Sequence, residues 1–210
     1  MNRSTKSSLS LLLSATFFLL SHTSVQAANN SATTITKEAA VTSISYNGVQ
    51  LNSEINIVNK KLKLNGQGMR EKFFIDLYIG SLYLEKPNSD ATSILKSKKT
   101  SAIKLNIVSS LITAEKMKNA ILSGFEKATN DKLEPIQPQI NEFMAVFDSK
   151  ISEGDRFTLV SQPSKGIIAY KNGEKLALIP GEKFRIAVLK IWLGDDPIQT
   201  SLKKGMLQGK

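Results

Sequence analysis

One arginine stands where a positive charge is hardest to account for. Arg70 follows Gly66-Gln67-Gly68 and precedes Phe73-Phe74, at the mouth of the apolar run LNGQGMREKFFIDLYIGSLYLEK (residues 64–86). Lysine supplies most of the positive charge elsewhere. Beyond Arg3 the arginines are Arg70, Arg156 and Arg185. A guanidinium is a planar fork suited to two-pronged contact with a carboxylate or a phenolate-type oxygen, and burial does not neutralise it. An arginine entering an apolar strand therefore needs an anionic partner, because an isolated buried charge costs on the order of several kcal/mol. That partner is either internal, around Glu71 or at Asp76, or it is a ligand. Physical chemistry alone favours the internal ion pair.

The residues that are missing bound the chemistry. The single histidine, His22, lies in the N-terminal segment, and there is no cysteine. Beyond that segment, Ser-His-Asp and Cys-His catalysis, zinc sites with nitrogen or sulfur ligands, and disulfides are excluded. Any reaction would have to use carboxylates, lysine, tyrosine, arginine or bound water. Gly66-Gln67-Gly68 lacks the third glycine of a dinucleotide fingerprint and is followed by a strand pattern, so it reads as a bend or bulge. Asp195-Asp196, between Gly194 and Pro197, reads as helix capping rather than an acid–base or cation-binding pair. No catalytic residue, cofactor or metal is assigned.

The N-terminus carries its own signal. Arg3 and Lys6 precede an apolar stretch from Leu9 to Leu20, and small residues surround a break at Ala27-Ala28. This predicts a cleaved secretory signal peptide over residues 1–27, too short in its apolar part for a stable membrane span. An uncleaved anchor is the less favoured reading. Export without cysteine makes a bacterial periplasm the simplest address. Residues 28–40 are small and polar, a flexible lead-in. The net charge of +10 comes mainly from scattered lysines without interleaved aromatics, which argues against nucleic acid. It describes a solvated basic surface capable of weak contact with anionic lipid headgroups.

The elements that must position Arg70 follow from periodicity. Val41 to Tyr46 alternates before the turn dipeptide Asn47-Gly48, and Ile55, Ile57 and Val58 begin a strand running toward Leu64. Residues 72–85 read as one long strand, and Ile103 to Val108 as another. Ser89 and Asp90 cap a short helix. Thr113 is the N-cap of a longer one, with Glu115 in its first turn and Met117, Ala120, Ile121, Phe125 and Ala128 on one face. That face is core or the lining of an apolar cavity. Pro135 and Pro138 precede a helix marked by Ile140, Phe143, Met144 and Phe147. Strands near residues 157–160, 167–170 and 176–179 follow, the last two joined by Lys171-Asn172-Gly173-Glu174. Pro180-Gly181-Glu182 opens a helix stopped at Gly194, and Asp195 or Asp196 caps a final short one. This order gives an α+β domain over residues 41–207 with an antiparallel sheet and no internal linker.

Three segments together resemble the bacterial branch of the chalcone-isomerase-like proteins: NGQGMREKFFIDLYIGSLYLE, SSLITAEKMKNAILSGF, and IPGEKFRIAVLKIWLGDDPIQTSLKKGML. The resemblance implies an open-faced β-sandwich in which a large antiparallel sheet is covered by helices. It also implies one of two functions. Plant chalcone isomerases close a chalcone to a flavanone with an arginine after the Gly-x-Gly segment, a strand threonine and a tyrosine near a helix start. Non-catalytic relatives bind fatty acids, holding the carboxylate with the arginine and a strand tyrosine. Arg70 matches the shared arginine, and Tyr78 stands where the enzyme has threonine, as in the fatty-acid binders. Thr113 stands at about the position of the enzyme's tyrosine and has no phenol to offer. The candidate ligand-binding residues are therefore Arg70, Tyr78 and Thr113.

On a regular strand Arg70 and Tyr78 would stand about 26 Å apart at roughly 3.3 Å per residue, so convergence on one headgroup requires a bend between them. The expected function is non-catalytic binding of a small amphipathic acid, such as a fatty acid, by an exported protein. The alternatives are an isomerase acting on a chalcone-like enone, or an interaction module whose cleft has closed around Phe74, Met117, Phe125 and Phe143.

Overall fold

Two-residue turns set the register of half the strand pairs in the large sheet. The computed structural model describes residues 42–209. The expected signal peptide and the whole of the expected lead-in lie outside the described residues. Strands β1 (Ser43–Tyr46) and β2 (Val49–Asn52) form a hairpin closed by Asn47-Gly48, both at positive φ. Then β3 (Glu54–Ile57), β4 (Lys60–Lys72), β5 (Ile75–Leu84), β6 (Ser101–Ile107), β7 (Arg156–Gln162), β8 (Gly166–Lys171) and β9 (Glu174–Ile179) build an antiparallel sheet in sequence order. Asn172-Gly173 closes the β8–β9 hairpin, as its sequence predicts.

Two strand expectations need correction. The apolar run at 72–85 is not one strand: β4 ends at Lys72, Phe73-Phe74 makes a two-residue turn, and β5 returns from Ile75. Both phenylalanines lie in the left-handed region, at φ 52° and 63°, as a hairpin turn of the I′ class requires. Aromatic residues carry no turn signal, so periodicity missed the reversal. In the same way Val58-Asn59 turns the chain between β3 and β4, where a continuous strand toward Leu64 was expected.

Five α-helices complete the fold among the described residues: α1 (Ala91–Lys96), α2 (Ala114–Thr129), α3 (Gln137–Ala145), α4 (Glu182–Leu193) and α5 (Thr200–Met206). Asp90 caps α1 by accepting from the Thr92 N–H, and Thr113 caps α2 by accepting from the Lys116 N–H. The acid pair does not cap α5. That helix starts at Thr200 with Gln199 as its N-cap residue, because Pro197 and Ile198 hold Asp195 and Asp196 away from its first turn. Asp196 instead pairs with Lys127 of α2 at 2.9 Å.

The main core lies between the sheet and the helices. Leu82, Ile103, Leu105, Phe157 and Leu159 alternate onto one face of the sheet and meet Phe125, Phe143, Phe184, Val188 and Trp192. Helix α4 is buried almost all round, the pattern of a helix enclosed by its neighbours. Helix α2 packs over it, with Gly124 against Ile191. A Cβ there would lie 2.7 Å from the isoleucine Cγ2. The α+β expectation holds, with a large antiparallel sheet and the helices segregated onto one face.

Gly66-Gln67-Gly68 has a packing role. A bulge at Asn65 shifts the β4–β5 register. Helix α5 lies directly on the glycines: a Cβ at Gly66 would be 2.3 Å from the Gly205 carbonyl oxygen, and one at Gly68 would be 3.2 Å from Leu202. The side chain of Asn65 ties the two together, donating at 2.9 Å to the carbonyls of Met206 and Asn88.

Candidate functional site: an apolar cleft with a basic head

The Phe73-Phe74 turn brings Arg70 and Tyr78 together. They are Cα partners across the β4–β5 ladder, so their side chains share a face of the sheet. A β-bulge follows: the register passes from Arg70↔Tyr78 to Glu71↔Asp76, leaving Leu77 as the extra residue. The bulge lets Leu77 as well as Tyr78 line one cavity of about 550 Å³ between this hairpin and α2. Ile75, Ile112, Met117, Ala120, Gly124 and Ile198 supply apolar wall, while Lys72, Lys116 and Lys127 also line it. Small residues on α2, Ala120, Ser123 and Gly124, leave the space open.

Arg70 is half-buried and has no ion-pair partner among the described residues. The internal salt bridge favoured on chemical grounds is absent. Asp76 and Glu71 face each other across the ladder, one position beyond Arg70, and are exposed. The guanidinium instead donates to the Glu71 carbonyl and, at 2.9 Å, to the Gln199 side-chain oxygen. Gln199 is itself anchored: its oxygen also accepts from the Glu71 N–H at 2.9 Å, and its Nε2 donates to the Met69 carbonyl at 3.0 Å. Every acceptor that Arg70 holds is neutral.

Tyr78 is buried, and its hydroxyl oxygen accepts a hydrogen bond from Trp192 Nε1 at 3.1 Å. With that lone pair occupied, the phenolic proton remains available for donation. Burial raises the Tyr78 pKa above its ordinary value. The Trp192 hydrogen bond and the Arg70 charge oppose the shift without cancelling it. Tyr78 is thus a neutral donor beside a permanent cation.

Thr113 is placed differently. Its hydroxyl accepts from the Lys116 N–H at 3.2 Å as the α2 cap, its residue is exposed, and it does not line the cavity. Its neighbours Ile112 and Lys116 do. Sequence reasoning missed Gln199 and Trp192. Gln199 carries no readable signal. Trp192, the sole tryptophan, does carry one, because a buried indole N–H needs an acceptor.

The aromatic residues divide between core and rim. Phe125, Phe143 and Phe184 pack on one another with centroids 5.7–5.9 Å apart, away from the cavity, while Met117 lines it. Phe74 is fully exposed. The cleft is therefore open, and the four side chains expected to fill a closed one do not do so. A second cavity of about 630 Å³ lies between the β1–β2 hairpin and the sheet. Its walls mix Asp76 and Glu153 with Lys104 and Arg156, so its charges offset.

A cavity with largely apolar walls, lined also by a fixed cation and a tyrosine, suits an amphipathic molecule with an oxyanion head. Among solved structures, the chain is similar to an Arabidopsis thaliana fatty-acid binding protein, with 14% identity and a TM-score of 0.65. The likeness covers 80% of this chain and 96% of that one. No curated sequence matches the chain. The family model described as chalcone isomerase-like matches residues 43–208, and the protein belongs to that family.

Proposed function

We propose that the protein binds a small amphipathic acid, of fatty-acid type, without transforming it. The observation that carries this reading is Arg70: a cation without an acidic partner among the described residues, opposite Tyr78 across the ladder, at a cavity with largely apolar walls. The carboxylate takes the guanidinium fork and the Tyr78 proton, and the chain lies along Leu77, Met117 and Ile198. The similarity to a fatty-acid binding protein supports the same ligand class. Thr113 supports the absence of isomerase chemistry, since its hydroxyl caps a helix and offers no phenol to the cleft.

The reading includes export to the periplasm, supported by the basic start, apolar stretch and small-residue break of residues 1–27. Native mass spectrometry of full-length protein expressed and fractionated from bacterial periplasm tests both parts. The expected species starts at Ala28 and carries an acyl ligand that organic extraction releases, and the stripped protein regains it on titration with laurate. Empty protein with no laurate affinity would remove the ligand reading. An intact leader in the cytosolic fraction would remove the export reading alone.

A further inference from the structure

Among the described residues, four two-residue hairpin turns place both central residues at positive φ. Two use Asn-Gly, which adopts that backbone at least cost. The other two are Val58-Asn59 and Phe73-Phe74. A β-branched or aromatic residue is strained there. Val58 offsets its strain by packing onto the cluster of Leu62, Tyr83 and Val160. The phenylalanines have no comparable compensation, with Phe73 82% and Phe74 106% exposed. Backbone strain and exposure to water both oppose aromatic residues here, and Asn-Gly would close the same turn. The fold does not account for them.

Their surroundings do. Ile75 and Leu111, both exposed, lie with Phe73 on the lining of the same cavity, so apolar surface rims its mouth. The Lys72 ammonium lies 5.5 Å from the centroid of the Phe73 ring, and Lys116 Nζ donates to the Leu111 carbonyl at 3.1 Å. Neither lysine pairs with a carboxylate among the described residues. The acids of the hairpin, Glu71 and Asp76, do not line this mouth, and Asp76 lines the second cavity. Among the described residues no helix is long and apolar enough to cross a membrane.

We propose that the Phe73-Phe74 tip is a membrane-docking element that seats the mouth of the cavity on an anionic bilayer. Aromatic rings partition into the interface between headgroups and acyl chains, and adjacent unpaired lysines meet the lipid phosphates. Docking would place the cavity mouth against the layer from which an acyl ligand enters or leaves. The contact itself does not depend on what fills the cavity.

Phe74→Gly isolates the tip, because Phe74 does not line the cavity and glycine is at ease at its φ of 63°. Full-length wild type and variant are sedimented with phosphatidylcholine vesicles, with or without phosphatidylglycerol, at low and high salt. Wild type is expected to partition onto the anionic vesicles and to be released by salt. The variant should partition about tenfold more weakly or worse, through loss of one inserted aromatic ring. It should melt at the same or a higher temperature and keep its laurate affinity. Wild type that ignores anionic vesicles, as a tip built for a protein partner would, overturns the proposal. So does a variant that binds them equally, or one that melts lower because the tip serves the fold. Vesicle binding without laurate binding would leave this proposal standing and overturn only the ligand reading.

Discussion

Arg70 and Tyr78 oppose each other across the β4–β5 ladder, and the charge of the first acts on the second. Burial holds the Tyr78 phenol neutral, while the guanidinium and the Trp192 N–H limit the shift. The pairing depends on Phe73-Phe74 reversing the chain between them. A permanent positive charge and a neutral donor on one face of a sheet have the chemistry to hold one oxyanion. Two cations would impose a larger desolvation cost, and two neutral donors would attract it more weakly.

Tyr78→Phe should leave the Trp192 N–H without its acceptor. The expected cost is about 1–3 kcal/mol in chemical denaturation, the usual penalty for a stranded buried donor. Adding Trp192→Phe should recover part of it, a non-additivity that a double-mutant cycle measures.

The same phenol predicts alkaline behaviour. The folded pKa of Tyr78 is raised above its ordinary 10.0, so the folded state keeps a proton that the unfolded chain gives up. The stability this contributes is complete below pH 10.0 and is lost as pH climbs toward the folded value. Burial raises Tyr83 as well, so both tyrosines add to the alkaline loss. Melting temperatures across the alkaline range should fall less steeply for Tyr78→Phe than for wild type. Parallel curves would mean that Tyr78 ionises as freely folded as unfolded.

Arg185 shows what a structural arginine looks like in this fold. It is 1% exposed, pairs two-pronged with Glu182 at 2.9 and 2.7 Å, and donates to Ser161 at 2.8 Å. Arg185→Ala should cost about 1–3 kcal/mol in denaturant unfolding, from the buried Ser161 hydroxyl that loses its donor, since Glu182 is 37% exposed and can be solvated. Arg185 holds the Glu182 carboxyl below its ordinary value, mainly through their hydrogen bonds and against a smaller effect of burial. That stability is present above pH 4.5 and is lost as pH falls through the depressed folded value. Glu182→Gln should flatten the acid limb of the stability curve.

Gly66→Ala links the glycine segment to the site. The added methyl carbon would lie 2.3 Å from the Gly205 carbonyl oxygen, so α5 must lift away from β4. The expected loss is about 1–3 kcal/mol from overpacking. Gln199, at the N-cap of α5, holds Arg70, so laurate affinity should fall with stability although Gly66 does not line the cavity. A variant that melts lower but binds laurate normally would show that α5 does not position the arginine.

How far the sequence could be read depended on which residues made each turn. Asn47-Gly48 and Asn172-Gly173 announced their hairpins because glycine and asparagine favour positive φ. Phe73-Phe74 hid the third, since its aromatic residues extend a strand pattern and only tertiary pairing reveals the reversal. The error set Arg70 and Tyr78 apart, while the residues named for the headgroup were those the hairpin joins. The Thr113 cap was legible because a cap is local: one side chain, one N–H, three residues on. The Gln199 contact with Arg70 was not, because a contact between distant segments leaves no periodic trace.

Arg70→Ala decides between a folding role and a binding role for the arginine. The wild-type guanidinium is half-buried and holds only neutral acceptors, so removing it strands no carboxylate. The Gln199 oxygen keeps the Glu71 N–H as a donor. Stability without ligand should therefore change by no more than about 1 kcal/mol, the net worth of an ordinary hydrogen bond. Laurate affinity should fall about tenfold to a hundredfold, since a hydrogen bond to a charged group contributes about 1.5–3 kcal/mol. Arg70→Lys should keep the charge yet bind poorly, because an ammonium cannot reproduce the two-pronged contact. Thermal melts of the three proteins with and without laurate separate these effects: wild type should gain the largest ligand-induced rise, and the unliganded proteins should melt together. A fall in the unliganded Arg70→Ala melt corresponding to about 3–5 kcal/mol, as for a broken buried ion pair, would mean that Arg70 holds the fold and that the cavity lacks its head.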